Sequence, residues 1–191
     1  MGLMILVAGA AGEPWESLEW LAARLSEAYT GAAARVLERQ VPLPPGAYDP
    51  GRGQYLSEAL LEEAVRLRRA TGADLLLLVA RTDAYSPGLN FVFGQAVLGG
   101  GAAVVYTARL RPEFYGHAPD EALYRLRLLK EALHELGHAL GLGHCSNPRC
   151  VMSFSNSIVE VGAKEPRYCS RCAARLAGLG VAVSPGYLLA D

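Results

Sequence analysis

His134, Glu135, His138 and His144 fall within one short run, HELGHALGLGH, and are residue types that bind and use a metal ion. On a helix, positions four apart lie on nearly one side, about one turn apart along the axis. The imidazoles of His134 and His138 can therefore chelate a single ion. Glu135 stands about a quarter-turn around, close to such an ion without having to be a ligand. A carboxylate there can take a proton from a metal-activated water. Gly141 and Gly143 follow, and a glycine accepts the left-handed conformation that ends a helix and turns the chain. That turn can return His144 to the same ion. Three histidines leave the fourth position of a tetrahedral zinc open for water, whose pKa zinc lowers to about 7. The remaining histidine, His117 in YGHAPD, reads as an ordinary loop residue.

Cys145 and Cys150 form one close pair of cysteines and Cys169 and Cys172 a second, well apart from it. Two such pairs are the pattern of a four-cysteine structural zinc site. Cys169 is expected at the start of a helix continuing through AARLAGL, a position that favours thiolates. Two disulfides, or plain buried thiols, are the alternative. The chain opens on MGLMILVAGAAGEP, whose short apolar run has no positive residue before it and reads as a buried strand rather than a secretion signal. No stretch is long enough to span a bilayer. The expected location is therefore cytoplasmic, where disulfides are uncommon. His144 and Cys145 are adjacent, and neighbouring side chains in an extended turn point opposite ways. We expect two zinc ions per chain, one catalytic on the histidines and one structural on the cysteines.

These residues need a scaffold, and 191 residues that are 51% hydrophobic and 19% charged suit one globular domain. A net charge of −1 gives no electrostatic case for a nucleic-acid or membrane partner. Residues 3–8 read as a strand, followed by a helix opening at Glu13 and Pro14 with Leu18, Leu21, Ala22 and Leu25 on one face. ARVLERQVPLP reads as a second strand, residues 42–53 as a loop, and 55–70 as a helix stopped by Gly72. ADLLLLVA suits the centre of a mostly parallel sheet, buried on both faces. LNFVFGQAVL and AAVVYTARL read as two more strands. Leu126, Leu129, Leu133, Leu136 and Leu140 predict a helix over Glu121–Leu140 with an apolar stripe. The order implies an α/β fold with a mixed, mostly parallel twisted sheet and a late antiparallel or edge strand. The glycines of VAGAAG fit neither nucleotide-binding fingerprint.

The run from His134 to His144, followed by Met152, resembles the metzincin metallopeptidases. HCSNPRCVM with the later CSRC looks like the archaemetzincin family, and so do LNFVFGQA, RLRPEFYG and the helix leading into His134. The resemblance covers about Asp74 to Leu176. It implies a zinc-dependent peptidase acting on peptide or protein substrates, with His134, His138 and His144 on the catalytic zinc. Glu135 would be the general base acting on a zinc-bound water. Met152 would form a turn beneath the metal, supported with Gly141, while Cys145, Cys150, Cys169 and Cys172 hold the structural zinc. It further implies an upper α/β subdomain, residues 1–144, and a small lower one, 145–191, that carries the Met-turn and the cysteines. NFVFGQA is the candidate edge strand for pairing with substrate. Gly162 stands where the family leads us to expect an acid.

Two other classes of function remain open at this stage. A zinc-binding scaffold or regulator would need the ligands but have no use for Glu135. A nucleic-acid-binding zinc module could use Arg149, Arg167, Arg171 and Arg175, although the chain shows no alternation of aromatic and basic residues. Tyr168 is a candidate second stabiliser of the oxyanion.

Overall fold

The computed structural model describes residues 2–190. Strand β1 (Met4–Ala10), helix α1 (Trp15–Ala28) and strand β2 (Ala33–Val36) make the first unit, with β2 parallel to β1. Two short strands, β3 (Tyr48–Asp49) and β4 (Gln54–Leu56), precede helix α2 (Ser57–Thr71). Gly72 ends α2 in the left-handed conformation at φ 69°, which only glycine adopts without strain. Then follow β5 (Leu75–Ala80), β6 (Ala84–Tyr85), β7 (Gly94–Ala96) and β8 (Ala102–Tyr106). Helix α3 (Glu121–Leu140) and the short helices α4 (Ile158–Ala163) and α5 (Ser170–Gly178) complete the chain.

The main sheet runs β2-β1-β5-β8-β7, parallel throughout except for β7, which is antiparallel to β8. A second small sheet has the order β3-β4-β6. Side chains alternate across a strand, and here each set meets a different layer. Ile5, Val7, Leu75, Leu77, Val79, Ala103 and Val105 face α1, α3 and the C-terminal segment. Ala8, Ala10, Leu76, Leu78, Ala80, Ala102 and Val104 face α2. Strand β5 is covered on both faces, so every one of its residues is buried and apolar. The C-terminal segment joins the first of these cores through Val151, Met152, Val161, Tyr168 and Leu176. Among the described residues, no helix is long and apolar enough to cross a membrane.

Several elements are shorter than their sequence suggests. Of ARVLERQVPLP only its first three residues are strand, the end of β2 at Ala33–Val36. In LNFVFGQAVL only Gly94–Ala96 is a strand, because the preceding residues cross from one sheet to the other. Val92 N–H donates to Ala84 O beside β6, whereas Phe93 O accepts from Tyr106 at the end of β8. Strands β3, β4 and β6 span two or three residues, too few to show a period. Leu126 is 39% exposed, off the buried face of α3, and Tyr124 and Leu128 pack in its stead.

Candidate active site

Helix α3 is built to hold its last turns still. Asp120 caps its start, accepting from Leu123 N–H at 3.0 Å, and Gly141 ends it at φ 116°. The turn between β7 and β8 caps the other end, with Gly99 and Gly101 N–H donating to His138 O and Ala139 O at 2.9 and 3.0 Å. Gly141 N–H also donates to His138 O at 2.9 Å, whereas Ala139 O is one of the last carbonyls of the helix, which have no partner within it.

The chain brings His134, His138 and His144 together, one nitrogen from each lying within 4.8 Å of the others. His134 Nδ1 sits 2.8 Å from Val151 O and His138 Nδ1 2.7 Å from Leu142 O. A carbonyl only accepts, so both Nδ1 atoms carry the proton and both Nε2 atoms present lone pairs. These two Nε2 atoms face each other at 3.1 Å. Two lone pairs that close repel unless a cation lies between them. Burial pushes the His134 pKa well below the ordinary imidazole value, with Lys164 and His138 adding to the effect. Burial also lowers those of His138 and His144. Protonation is thus a poor remedy and a metal a good one. Tetrahedral zinc with nitrogens at 2.0–2.1 Å requires a nitrogen–nitrogen separation of about 3.3 Å, so the donor set fits zinc.

Cys145, Cys150, Cys169 and Cys172 converge separately, all four sulfurs within 4.8 Å of one another and all four residues buried. None forms a disulfide. Cys145 Sγ and Cys169 Sγ are 3.7 Å apart, close to the separation of about 3.8 Å that tetrahedral zinc with 2.3 Å bonds to sulfur requires. Asn147 N–H donates to Cys145 Sγ at 3.4 Å and Cys169 N–H to Cys150 Sγ at 3.3 Å, as thiolates need. The Cys172 thiol beside it draws the Cys150 pKa down to about 5, and the same contact raises that of Cys172. Cys169 is the cap of α5, at the helix start. His144 and Cys145, though adjacent, belong to different clusters.

Met152 is fully buried and passes beneath α3 at Gly137, where a Cβ would run into its Sδ. Tyr168 is not at the reacting centre. It is fully buried and donates to Leu133 O at 2.8 Å, with Tyr29 Oη at 2.7 Å, so it has no free hydroxyl for an oxyanion. His117 lies in an exposed loop.

Glu135 opens onto a cleft of about 610 Å³ that His134, His138, His144, Glu131 and Gly94 also line. Burial and the Glu131 carboxylate push its pKa well above the ordinary range, and Lys164 opposes them. Sequence reasoning missed this surrounding shell. Lys164 Nζ stands 2.9 Å from Glu131 Oε1, both side chains nearly inaccessible; the two are close enough for an ion pair but not aligned as a hydrogen bond. Lys164 also donates to Ser153 O at 3.4 Å. Lys130 reaches the other way and donates to Val161 O and Gly162 O at 3.1 Å. The chain has two lysines against sixteen arginines, and both lysines are buried here. That contrast was the signal available in the sequence.

Comparison with known proteins accords with this geometry. The family model described as peptidase family M54 matches residues 22–178. The chain is 47% identical over 145 residues to the archaemetzincin of Methanocaldococcus jannaschii, covering 76% of this chain and 78% of that one. To the archaemetzincin of Methanopyrus kandleri it is 49% identical over 139 residues, covering 72% and 74%. The crystal structure of archaemetzincin from Methanopyrus kandleri superposes with a TM-score of 0.80 at 37% identity, over 93% of this chain and 95% of that one. That of a zinc-dependent peptidase from Methanocorpusculum labreanum gives 0.81 at 30% identity, over 90% and 99%.

Proposed function

This chain belongs to peptidase family M54, the archaemetzincins, and is a zinc metallopeptidase; we propose that His134, His138 and His144 hold its catalytic zinc and that Glu135 is the base of the reaction. The observation that carries the assignment is the pair of Nε2 lone pairs facing each other at 3.1 Å. A second zinc on Cys145, Cys150, Cys169 and Cys172 would pin the chain immediately after the third histidine. The same reading divides the chain at the cleft into residues 1–144 and 145–191. It also places the protein in a reducing, cytoplasmic setting, which suits four buried unpaired thiols.

Zinc, when bound, supplies Lewis acidity, making water nucleophilic near neutral pH and polarising the scissile carbonyl. The chain's own residues do the rest. Strand β7 is the last of the main sheet and pairs only with β8 among the described residues, so its outer edge can accept the main chain of an extended peptide. Gly94 on that strand lies against Glu135, which brings such a peptide to the carboxylate. Glu135 takes the proton of the attacking water and passes it to the leaving amine as the C–N bond breaks. A carboxyl whose proton affinity is raised by burial suits both halves of that transfer.

Zinc per chain, measured by elemental analysis of protein purified without chelator, is the first test. Two ions are expected, falling to one in His138→Ala. Retention of both in that variant would overturn the ligand assignment. Glu135→Gln should keep both ions and lose peptide hydrolysis by at least about a hundredfold. Hydrolysis that survives it unchanged would remove Glu135 from the mechanism.

A further inference from the structure

The lining of the Glu135 cleft divides by chemistry. Three of its apolar members stand out in solvent, Leu89 54% exposed, Leu98 66% and Phe154 55%, beside a half-buried Phe91 and a buried Phe93. Large apolar side chains held open together mark a place that an apolar ligand covers. These come from three separate segments: Leu89 and Phe91 from the crossing before β7, Leu98 from the turn after it, and Phe154 from the stretch after Met152. All line the cleft that His134, Glu135, His138 and His144 line. The Phe154 ring lies 5.1 Å from that of His144, so the apolar surface begins at the predicted metal ligands.

The charged members of the lining are Glu131 and Glu135, and among the described residues no lysine or arginine joins them. Neither carboxylate is free to receive an incoming charge. Glu131 is already paired with Lys164, and Glu135 is committed to moving the proton. A charged substrate side chain would shed water against Leu and Phe, where no lysine, arginine or uncommitted carboxylate of the lining meets it. An apolar one would gain from the same burial.

Resting on the peptidase reading above, we infer that the cleft selects peptides with bulky apolar side chains beside the scissile bond over peptides with charged side chains there. Leu98 and Phe154 are the specificity-determining residues, set on separate segments so that an extended peptide passes between them.

The test uses blocked hexapeptides Ala-Ala-X-X-Ala-Ala, with X as Leu, Phe, Asp or Lys. Binding is measured to the zinc-loaded Glu135→Gln protein, which requires no turnover, and cleavage with the wild-type protein. The Leu and Phe peptides should bind at least about tenfold more tightly than the Asp and Lys peptides. Phe154→Ala and Leu98→Ala, both at exposed positions, should each reduce that ratio severalfold with zinc content unchanged. Equal binding of all four, tighter binding of Asp or Lys, or a ratio that neither variant alters would overturn the inference. Selective binding without cleavage by the wild type would uphold the inference and count against the reaction proposed above. Cleavage without selectivity would do the reverse.

Discussion

A methyl group added to Gly94 would stand 2.6 Å from Glu135 Cγ and 2.8 Å from its Oε1. The edge strand therefore touches the carboxylate proposed as the base, and glycine is what permits it. The requirement is one of space, since φ at Gly94 is not in the left-handed region. Its other neighbour, Val104 O at 2.7 Å, is backbone of β8 and cannot step aside.

Gly94→Ala should then strain the pairing of β7 with β8 and displace Glu135. A shift of about an ångström in a reacting group can cost about a hundredfold in rate. We expect kcat to fall by about ten- to a hundredfold, with both zinc ions retained and a stability loss of about 1–3 kcal/mol from overpacking. Steady-state kinetics with elemental analysis and urea unfolding on the same preparation check this. Full activity in Gly94→Ala would show that the contact has slack.

The two buried lysines form a reciprocal clamp between α3 and α4. Lys130 of α3 holds the carbonyls of Val161 and Gly162, and Lys164 after α4 returns to Glu131 of α3. Lys164→Met would strand the Glu131 carboxylate beneath the cleft, and breaking a buried pair in this way costs about 3–5 kcal/mol. The double substitution Glu131→Leu with Lys164→Met should recover most of that loss, because burying the pair has its own desolvation cost. Urea unfolding of the two single variants and the double variant gives the coupling directly. Additive losses would mean that the pair does not act as a unit.

How far the sequence reached is clearest along α3. Its limits, the leftward turn at Gly141 and the grouping of the three histidines follow from local rules: a helical period, a glycine stop and a four-residue spacing. The four cysteines were legible for the same reason, as two short pairs. Residues that meet only through space were not legible. Gly94 is 41 positions from Glu135 and carries no side chain to signal its role. Lys164 meets Glu131 across a turn whose path no period predicts. The crossing before β7 was misread as strand because Phe91, Val92 and Phe93 favour strands, whereas their backbone groups serve two different sheets.

Zinc binding by the histidines should release fewer protons than ordinary histidines would. Three histidines with the usual pKa of 6.5 would release about two protons on binding metal at pH 6. Burial lowers the pKa of all three, so each carries less of a proton at pH 6 than free imidazole does. Glu135 is shifted in the opposite direction, so its carboxyl is a second source of expelled protons. Calorimetry in buffers of different ionisation enthalpy, with the cysteine site preloaded, counts the protons. The wild type should release fewer than the three ordinary histidines would, and Glu135→Gln fewer than the wild type. Two protons from the variant would mean that the histidines titrate normally.

Gly137 is another glycine that space demands, because α3 crosses Met152 there without room for a Cβ. His134 is bound through its Nδ1 to Val151 O, the residue before Met152, so any shift of the Met152 backbone that the buried side chain transmits would reach that carbonyl. Gly137→Ala, which alone would favour a helix by about 1 kcal/mol, should instead destabilise the protein by about 1–3 kcal/mol through overpacking. It should also weaken zinc binding at the histidines about ten- to a hundredfold through the disturbed carbonyl partner, while the cysteine zinc stays bound. Adding Met152→Ala to it vacates the space that the new methyl group needs, and should restore part of the affinity in a chelator competition assay. If Gly137→Ala binds zinc normally, the methionine beneath the helix is packing and does not position the ligand.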